Sequence, residues 1–593
     1  MKISAISKLA RVSAAIMAIM IAMAGCGGGA NQQTTSQSSA SDGAGASSAS
    51  DGAGASSASS TTVPKRPYAD DENPLAFEKY DPPVTFTYAL ETVPDQQFFN
   101  NDNYDDNAWT RRIEEDLGIK LEIAWSADER TDAYRNKLNV SMAAGDLPDL
   151  FTGDYSIFTQ ARESGLLADL TDVVSNYASN EVNEIKKANQ YFFDPVIIDG
   201  RQMAFPSLGD GLENQSPFLW IRDDWLKAVG MAPPKTLDEM RAIAEAFATK
   251  DPDGNGVNDT SGLGLGMNIF SESYGGMLGV VSAFGTPALN FSESGTGMWM
   301  RDENNQIVWS ALQPGTRDAL EYVRGMYLDG LIDKEFGVKD LSKLEDDVNQ
   351  EKVGMMYGSV WNGFWPFPNI IRTNPEAVYI PYAIPTVEGI TPRIGVPWPV
   401  YEYYFVSSNC EHPEAVMKML NLARHINGDQ GSMEEFEMYE NNVQWRLSPV
   451  GISDPGVQQR EARMTNEAIA KNDPSIFDAW PKSKIKYDLV MDYINNKNTD
   501  GMQYAQWSQL GPNSTTWIVI DNYIPNGYIE ATALRGALPM AWIEKGPSLE
   551  KIQLQAFTEI IMGGDMSLFD KYVTDWLNAG GAEVTAEMNE MYN

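Results

Sequence analysis

The sequence predicts an α/β protein built as two lobes, each a mixed, mostly parallel sheet flanked by helices. Three observations carry that expectation. Strand-period and helix-period stretches alternate from residue 84 to 151, and a second alternation runs through 260–390. The chain, at 593 residues, exceeds one ordinary domain several-fold.

At the amino end, Lys2, Lys8 and Arg11 precede an apolar run from Val12 to Ala22. A helix needs roughly 20 apolar residues to cross a bilayer, so residues 1–25 read as an export signal. The run closes on Met23-Ala24-Gly25-Cys26, which resembles the bacterial lipobox. That resemblance implies cleavage before Cys26, diacylation of that cysteine, and attachment to the outer face of the cell membrane; two acyl chains anchor stably where one does not. A plain secretory cleavage is the alternative. Residues 26–80 form a flexible Gly/Ser/Ala linker: 27–62 carry no large apolar side chain, and Ser39 to Ser47 recurs as Ser48 to Ser56. Such a segment buries too little area to offset its backbone entropy. With Cys26 acylated, Cys410 has no partner and reads as a small buried filler.

The body opens on Val84, Phe86, Tyr88 and Leu90 alternating with Thr85, Thr87 and Ala89, the period of a strand. Ala108, Ile113 and Leu117 then share a helix side that Gly118 ends. Ile119, Leu121, Ile123 and Trp125 alternate again, a helix runs from near Thr131 to Ala144, and Leu150-Phe151 begins a third, apolar strand. That β-α-β-α-β order implies a largely parallel sheet with covered faces. Thr236 and Glu239 form a capping box for a helix whose buried stripe is Leu237, Met240, Ile243, Ala244 and Phe247. The last third is helix-rich, so the chain crosses between lobes more than once.

Composition excludes several functions. With 44 Lys+Arg against 82 Asp+Glu the net charge is −38, which repels nucleic-acid phosphates and opposes docking through basic patches. Only His412 and His425 are available as imidazoles, too few for His-rich zinc sites. No Gly-x-Ser-x-Gly elbow and no phosphate-binding loop with its Lys is present, and acid pairs such as Glu434-Glu435 read as solvated faces, so the chain is not expected to be an enzyme.

Several landmarks occur in order: Gly145-Asp146-Leu147-Pro148-Asp149, Trp220 through Leu226, Pro234 through Glu239, Leu328 through Asp333, and Asp575 through Glu590. Together the pattern resembles the extracellular solute-binding lipoproteins that feed ABC importers, in the oligosaccharide branch that includes the alginate- and maltose-binding proteins. The resemblance implies a periplasmic-binding-protein-like fold in which two α/β lobes close on a ligand at a hinge, one lobe taking residues 81–205 and 390–430, the other 206–389 and 431–593. It further implies a monomer that delivers an oligosaccharide to ABC permease subunits. A peptide or other polar metabolite is the alternative ligand, and a surface glycan-degrading enzyme or adhesin the alternative class.

Asp251, Asp253, Asn255 and Asp259 place oxygens at loop positions 1, 3, 5 and 9, with the Val257 carbonyl at 7 and Gly256 at the sharp turn. This spacing suits structural calcium, although Gly262 stands where the pattern has a bidentate Glu; a solvated Asx-rich turn is the alternative. Trp361, Asn362 and Trp365 follow an apolar strand, the place where open sheets bind ligands, and a sugar's polarised C–H face suits an indole. Trp398 with Glu402, Trp220 with Arg222, and Trp542 are further candidate ligand contacts, each weighed against packing. The acidic surface disfavours a strongly anionic glycan, with Arg222 or Arg446 as local exceptions.

Overall fold

The computed structural model describes residues 73–592 apart from 94–95, 97, 99–101, 129–132, 210, 272, 293–294, 399, 429–445, 498–500 and 536–537. The export signal, Cys26 and the repeat-bearing linker lie outside the described residues.

The expected opening elements are present. Val84–Thr92 (β1) buries Phe86 and Tyr88 on one face and Ala89 on the other. Ala108–Leu117 (α1) starts at Asn107, whose side chain accepts from the Trp109 and Thr110 amides while the Thr110 hydroxyl accepts from the Asn107 amide. It ends at Gly118, φ 66°, where a Cβ would stand 2.4 Å from the Tyr80 carbonyl oxygen; only glycine fits that turn. Ile119–Asp128 (β2), Ala133–Ala144 (α2) and Leu150–Gly153 (β3) follow, and Asp154 caps Tyr155–Glu163 (α3). The short helix Gln190–Phe193 (α4) and the strand Phe205–Leu208 (β4) complete this passage.

The chain then leaves through Leu212–Gln215 (α5) into Phe218–Arg222 (β5), whose five residues are all buried. Leu237–Thr249 (α6) has the expected capping box and stripe; losing the Thr236 hydroxyl costs about 1 kcal/mol. Ser261–Leu263 (β6), Tyr274–Gly276 (β7), Val353–Gly358 (β8), Tyr379–Tyr382 (β9) and Ile394–Val396 (β10) follow. Val400–Val406 (β11) and Glu414–Asn427 (α7) return to the first sheet. The final passage holds Val457–Lys471 (α8), Pro481–Asn496 (α9), Met502–Leu510 (α10), Ile529–Ala531 (β12), Met540–Ile561 (α11) and Ala582–Tyr592 (α12).

Both five-stranded sheets are mixed. The first runs β2-β1-β3-β11-β4, parallel among β2, β1 and β3, with β11 antiparallel to β3 and β4. The second runs β9-β5-β8-β6, with β7 also on β8; only β8 and β6 are parallel. The crossing from the first half delivers Phe218 beside Gly358, so β5 enters at the edge where β8 leaves and must run against it. Trp109, Ile113 and Leu420 fill one face of the first sheet and Phe151, Phe158 and Phe405 the other. The second core is one body that includes Trp299, Trp309, Trp542 and Trp576.

Two expected boundaries shift. Ile394 belongs to the second core and β10 pairs with β12, so the second half continues to Val396, beyond the expected 389. Leu447, Val450 and Ile452 pack in the first core, which therefore continues past 430. Hydrophobic runs mark strands in a sequence, but the half that buries them is decided by pairing.

Candidate functional site

In the first sheet, the carboxyl ends of β1, β2, β3 and β4 share one edge with the start of β11. Ligands of open α/β sheets sit outside such an edge. The Tyr155, Trp398 and Tyr403 rings gather there: Tyr155 opens α3, Trp398 lies in the return crossing, and Tyr155 stands 6.1 Å from Tyr403. Trp398 packs edge-on against Tyr191 at 5.0 Å and Phe192 at 5.3 Å, both on α4. Burial raises the Tyr403 phenol, an effect the neighbouring Trp398 indole partly offsets. Glu402 is half-buried on β11, paired in register with Ser207.

The second half reaches the same wall at Arg535. The Arg535 guanidinium lies over Tyr191 at 5.2 Å and over Trp398 at 5.6 Å. The Tyr592 ring, at the end of α12, is raised in pKa first by burial and then by Tyr155, Asp154 and Tyr403 of the first half. Aromatic groups and a cation from two separate cores thus meet across one seam.

On the second half's own edge, β8 ends at Gly358 and turns into a 3-10 turn over Val360–Gly363. Trp361, Phe364 and Trp365 are half-buried there, Trp361 against Phe364 at 5.8 Å and Trp365 against Tyr274 at 5.3 Å. The turn packs on α5, the outgoing crossing, and on α10, where a Cβ on Gly363 would stand 2.1 Å from the Ser508 hydroxyl. Beside it lies a set of buried amides. Gln503, Gln506 and Gln509 share one side of α10, Gln458 opens α8, which packs on α10, and Asn362 lies within the turn. The Oε1 atoms of Gln458, Gln503 and Gln506, the Oδ1 of Asn362 and the Nε2 of Gln509 are buried with no hydrogen-bond partner. A buried polar atom left unmet costs about 1–3 kcal/mol, so each of these amides is a place where a hydrogen-bonding partner would stabilise the protein. Gln506→Leu is expected to leave the melting temperature unchanged or raised by a degree or two, while weakening ligand binding at least tenfold; paired melting and calorimetric titrations check it.

Three expected contacts are corrected. Trp220 is 0 % exposed in mid-β5 and its indole N–H donates to the Ser359 carbonyl at 3.2 Å. Arg222 sits at the far end of β5, 1 % exposed, donating to Asp224 at 2.6 and 2.8 Å and to Glu351 at 3.0 Å, over the Trp225 ring at 4.7 Å. Since β5 runs against β8, Arg222 lies at the end of the sheet opposite the Val360–Gly363 turn. Trp542 packs between Trp299 and Trp309 in the second core. Tyr155, Tyr191, Arg535, Tyr592 and the α10 glutamines were not singled out from the sequence.

The 251–259 loop is largely exposed and turns at Asp251, Gly254 and Gly256, all with positive φ. The Gly256 amide donates to Asp251 at 3.0 Å, and the Asn255 side-chain amide donates to Asp253 at 2.7 Å. Burial, then Asp251 and Asp259, raise the Asp253 carboxyl. Asp251 Oδ1 is buried without a partner, and no Lys or Arg pairs with these acids among the described residues. Hard, unneutralised oxygens are what calcium takes, although no group of three His, Cys, Asp or Glu is drawn together tightly enough for a metal among the described residues. Cys410 is free and half-buried, its thiol pushed up to about 12 by burial. No helix among the described residues is long and apolar enough to cross a membrane.

Two α/β halves joined by crossing segments, with a polar and aromatic seam between them, define the class of solute-binding proteins. The chain belongs to the bacterial extracellular solute-binding protein family, whose model matches residues 100–424, more than half of the chain. It is 23% identical over 496 residues to lipoprotein LipO of Bacillus subtilis, covering 81% of this chain and 88% of that one. It is 24% identical to the fructooligosaccharide ABC transporter substrate-binding protein FusA of Streptococcus pneumoniae, over 46% of this chain and 48% of FusA. Its fold matches the crystal structure of the alginate-binding protein AlgQ2 without calcium ion at a TM-score of 0.51 and 16% identity, over 87% of this chain and 99% of AlgQ2.

Proposed function

We propose that the chain is a lipid-anchored receptor, monomeric and non-catalytic, that takes an oligosaccharide between its halves and hands it to an ABC permease at the outer face of the membrane. The observation that carries this reading is a wall of first-half rings met by a second-half guanidinium, together with buried amides whose hydrogen-bonding atoms are unmet. A pyranose presents both complements: flat C–H faces for rings and hydroxyls for amides. Trp361, Asn362, Trp365, Trp398 and Glu402, joined by Tyr155, Tyr191 and the glutamines of α10, are the proposed contacts. The relatives support the reading, FusA by its fructooligosaccharide and LipO by its lipoprotein character.

A ligand touching both halves stabilises the closed arrangement by its differential affinity, and the closed arrangement is what a permease recognises. Several ring contacts and hydrogen bonds suit a micromolar complex, about −8 kcal/mol. Calorimetry against panels of neutral and charged glycans and of peptides tests it: a glycan that binds and raises the melting temperature with concentration is expected. Binding of peptides alone replaces the sugar, and release of glycan products by the protein replaces the receptor.

The 251–259 loop is the proposed calcium site, with Asp251, Asp253, Asn255, Val257 and Asp259 as ligands and a structural role. Chelation is expected to lower the melting temperature by several degrees. A carboxyl raised above 3.8 in the folded state stabilises fully below that value and loses its contribution as pH rises through the raised one. Calcium binds the deprotonated form, so the gap between loaded and chelated protein should widen as pH rises. No shift on chelation removes the site.

A further inference from the structure

Resting on the receptor reading, we propose that Arg535 makes the site selective for glycans whose sugar ring beside Tyr191 and Trp398 carries a carboxylate. In a chain with 82 acidic residues against 44 basic ones, a guanidinium clear of any acid is unusual. Arg535 is exposed and makes no hydrogen bond or ion pair among the described residues. Acids close to Arg535 or to the wall rings in sequence are engaged elsewhere. Glu530, five residues earlier, receives both arms of Arg393 at 2.7 Å, Asp194 accepts from Gln190 at 2.9 Å, and Asp154 pairs with Arg135.

What holds Arg535 is a pair of rings, and the geometry matters. The guanidinium carbon stands 5.2 and 5.6 Å from the two ring centroids, and among the described residues no acceptor takes its N–H fork. That fork matches a carboxylate with two parallel hydrogen bonds, about twice as strong as neutral ones. The aromatic surface beneath is also where a pyranose would lie, so a carboxylate at the ring edge and a ring face on the indole can be met together. A neutral sugar gains the stacking but leaves the fork to water. The strongly acidic surface keeps anionic polymers at a distance, and a buttressed cation at the seam is a local means of admitting one.

The test compares an oligogalacturonide with its fully methyl-esterified form, which keeps the rings and removes the charge, by calorimetry on the full chain. The free acid is expected to bind at least tenfold tighter than the ester, the preference shrinking as salt is raised. Arg535→Gln should abolish the preference while leaving the affinity for the ester within about threefold, and Arg535→Lys should restore part of it as a point charge. Equal binding of acid and ester overturns the proposal. So does an Arg535→Gln variant that weakens both by the same factor, which would make Arg535 a clasp between the halves. If neither form binds while a neutral glycan does, the selectivity fails and the receptor stands; if no glycan of any kind binds, the receptor reading itself fails.

Discussion

Trp398→Ala is expected to weaken glycan binding by roughly thirtyfold, about 2 kcal/mol, with little change in melting temperature. The indole lies in the return crossing, half-buried, with Tyr191 and Phe192 edge-on to it and Arg535 over it. Truncation removes the central ring of the wall and frees both supports, the behaviour of an aromatic hot spot. The folded core loses little, because Trp398 belongs to none of the core clusters. Calorimetry with the best glycan of the panel and a thermal melt on the same preparation check both halves of the expectation. A fall in stability with affinity intact would assign the ring to packing.

The opposite pattern is expected of Arg222→Ala. Arg222 is held under Trp225 and Tyr379 with Asp224 and Glu351 on its fork, and those contacts hold its pKa above the ordinary arginine value despite burial. Removing one partner of a buried ion pair costs about 3–5 kcal/mol, since the remaining acids lose their counter-charge and a cavity opens over two rings. Asp224 and Glu351 keep some contact with solvent, at 27% and 31% exposure, which places the loss at the low end, about 3 kcal/mol. Denaturant titration reads the loss. Ligand affinity at a temperature where the variant is folded should stay within about twofold.

The contrast between these two residues shows what sequence reading reaches. The opening β-α-β-α-β passage was legible because each element carries its own period and its own stop, as at Gly118 and Gly145. The burst at Trp361 to Phe367 was legible as a strand-end loop, and the structure has it directly after the carboxyl end of β8. Trp220 and Arg222 were not separable from it, because the direction of β5 follows from where the crossing enters, a long-range fact with no local mark. Tyr191 sits on a short helix, Arg535 in a loop and Tyr592 at a helix end, and Tyr191 lies hundreds of residues before the other two, so only the packing of one half on the other brings Arg535 onto its ring. The glutamines of α10 do carry a signal, a three-residue spacing beside Tyr504 and Trp507, but polar residues at that spacing ordinarily mark a solvated face. Burial on all sides reverses the meaning.

The tryptophans of the second core govern how this molecule reports on itself under ultraviolet light. Trp299, Trp309, Trp542 and Trp576 are nearly or fully sealed from solvent, with neighbouring rings 4.9 to 6.3 Å apart. Excitation placed on any of them passes readily to the next, and the emission stays blue while the core is intact. Spectral wavelength is therefore a sensitive gauge of melting and a dull one of cargo capture, because the few indoles at the seam are outshone. Acrylamide quenching, which reaches the accessible rings first, is the optical measurement suited to watching the halves shut.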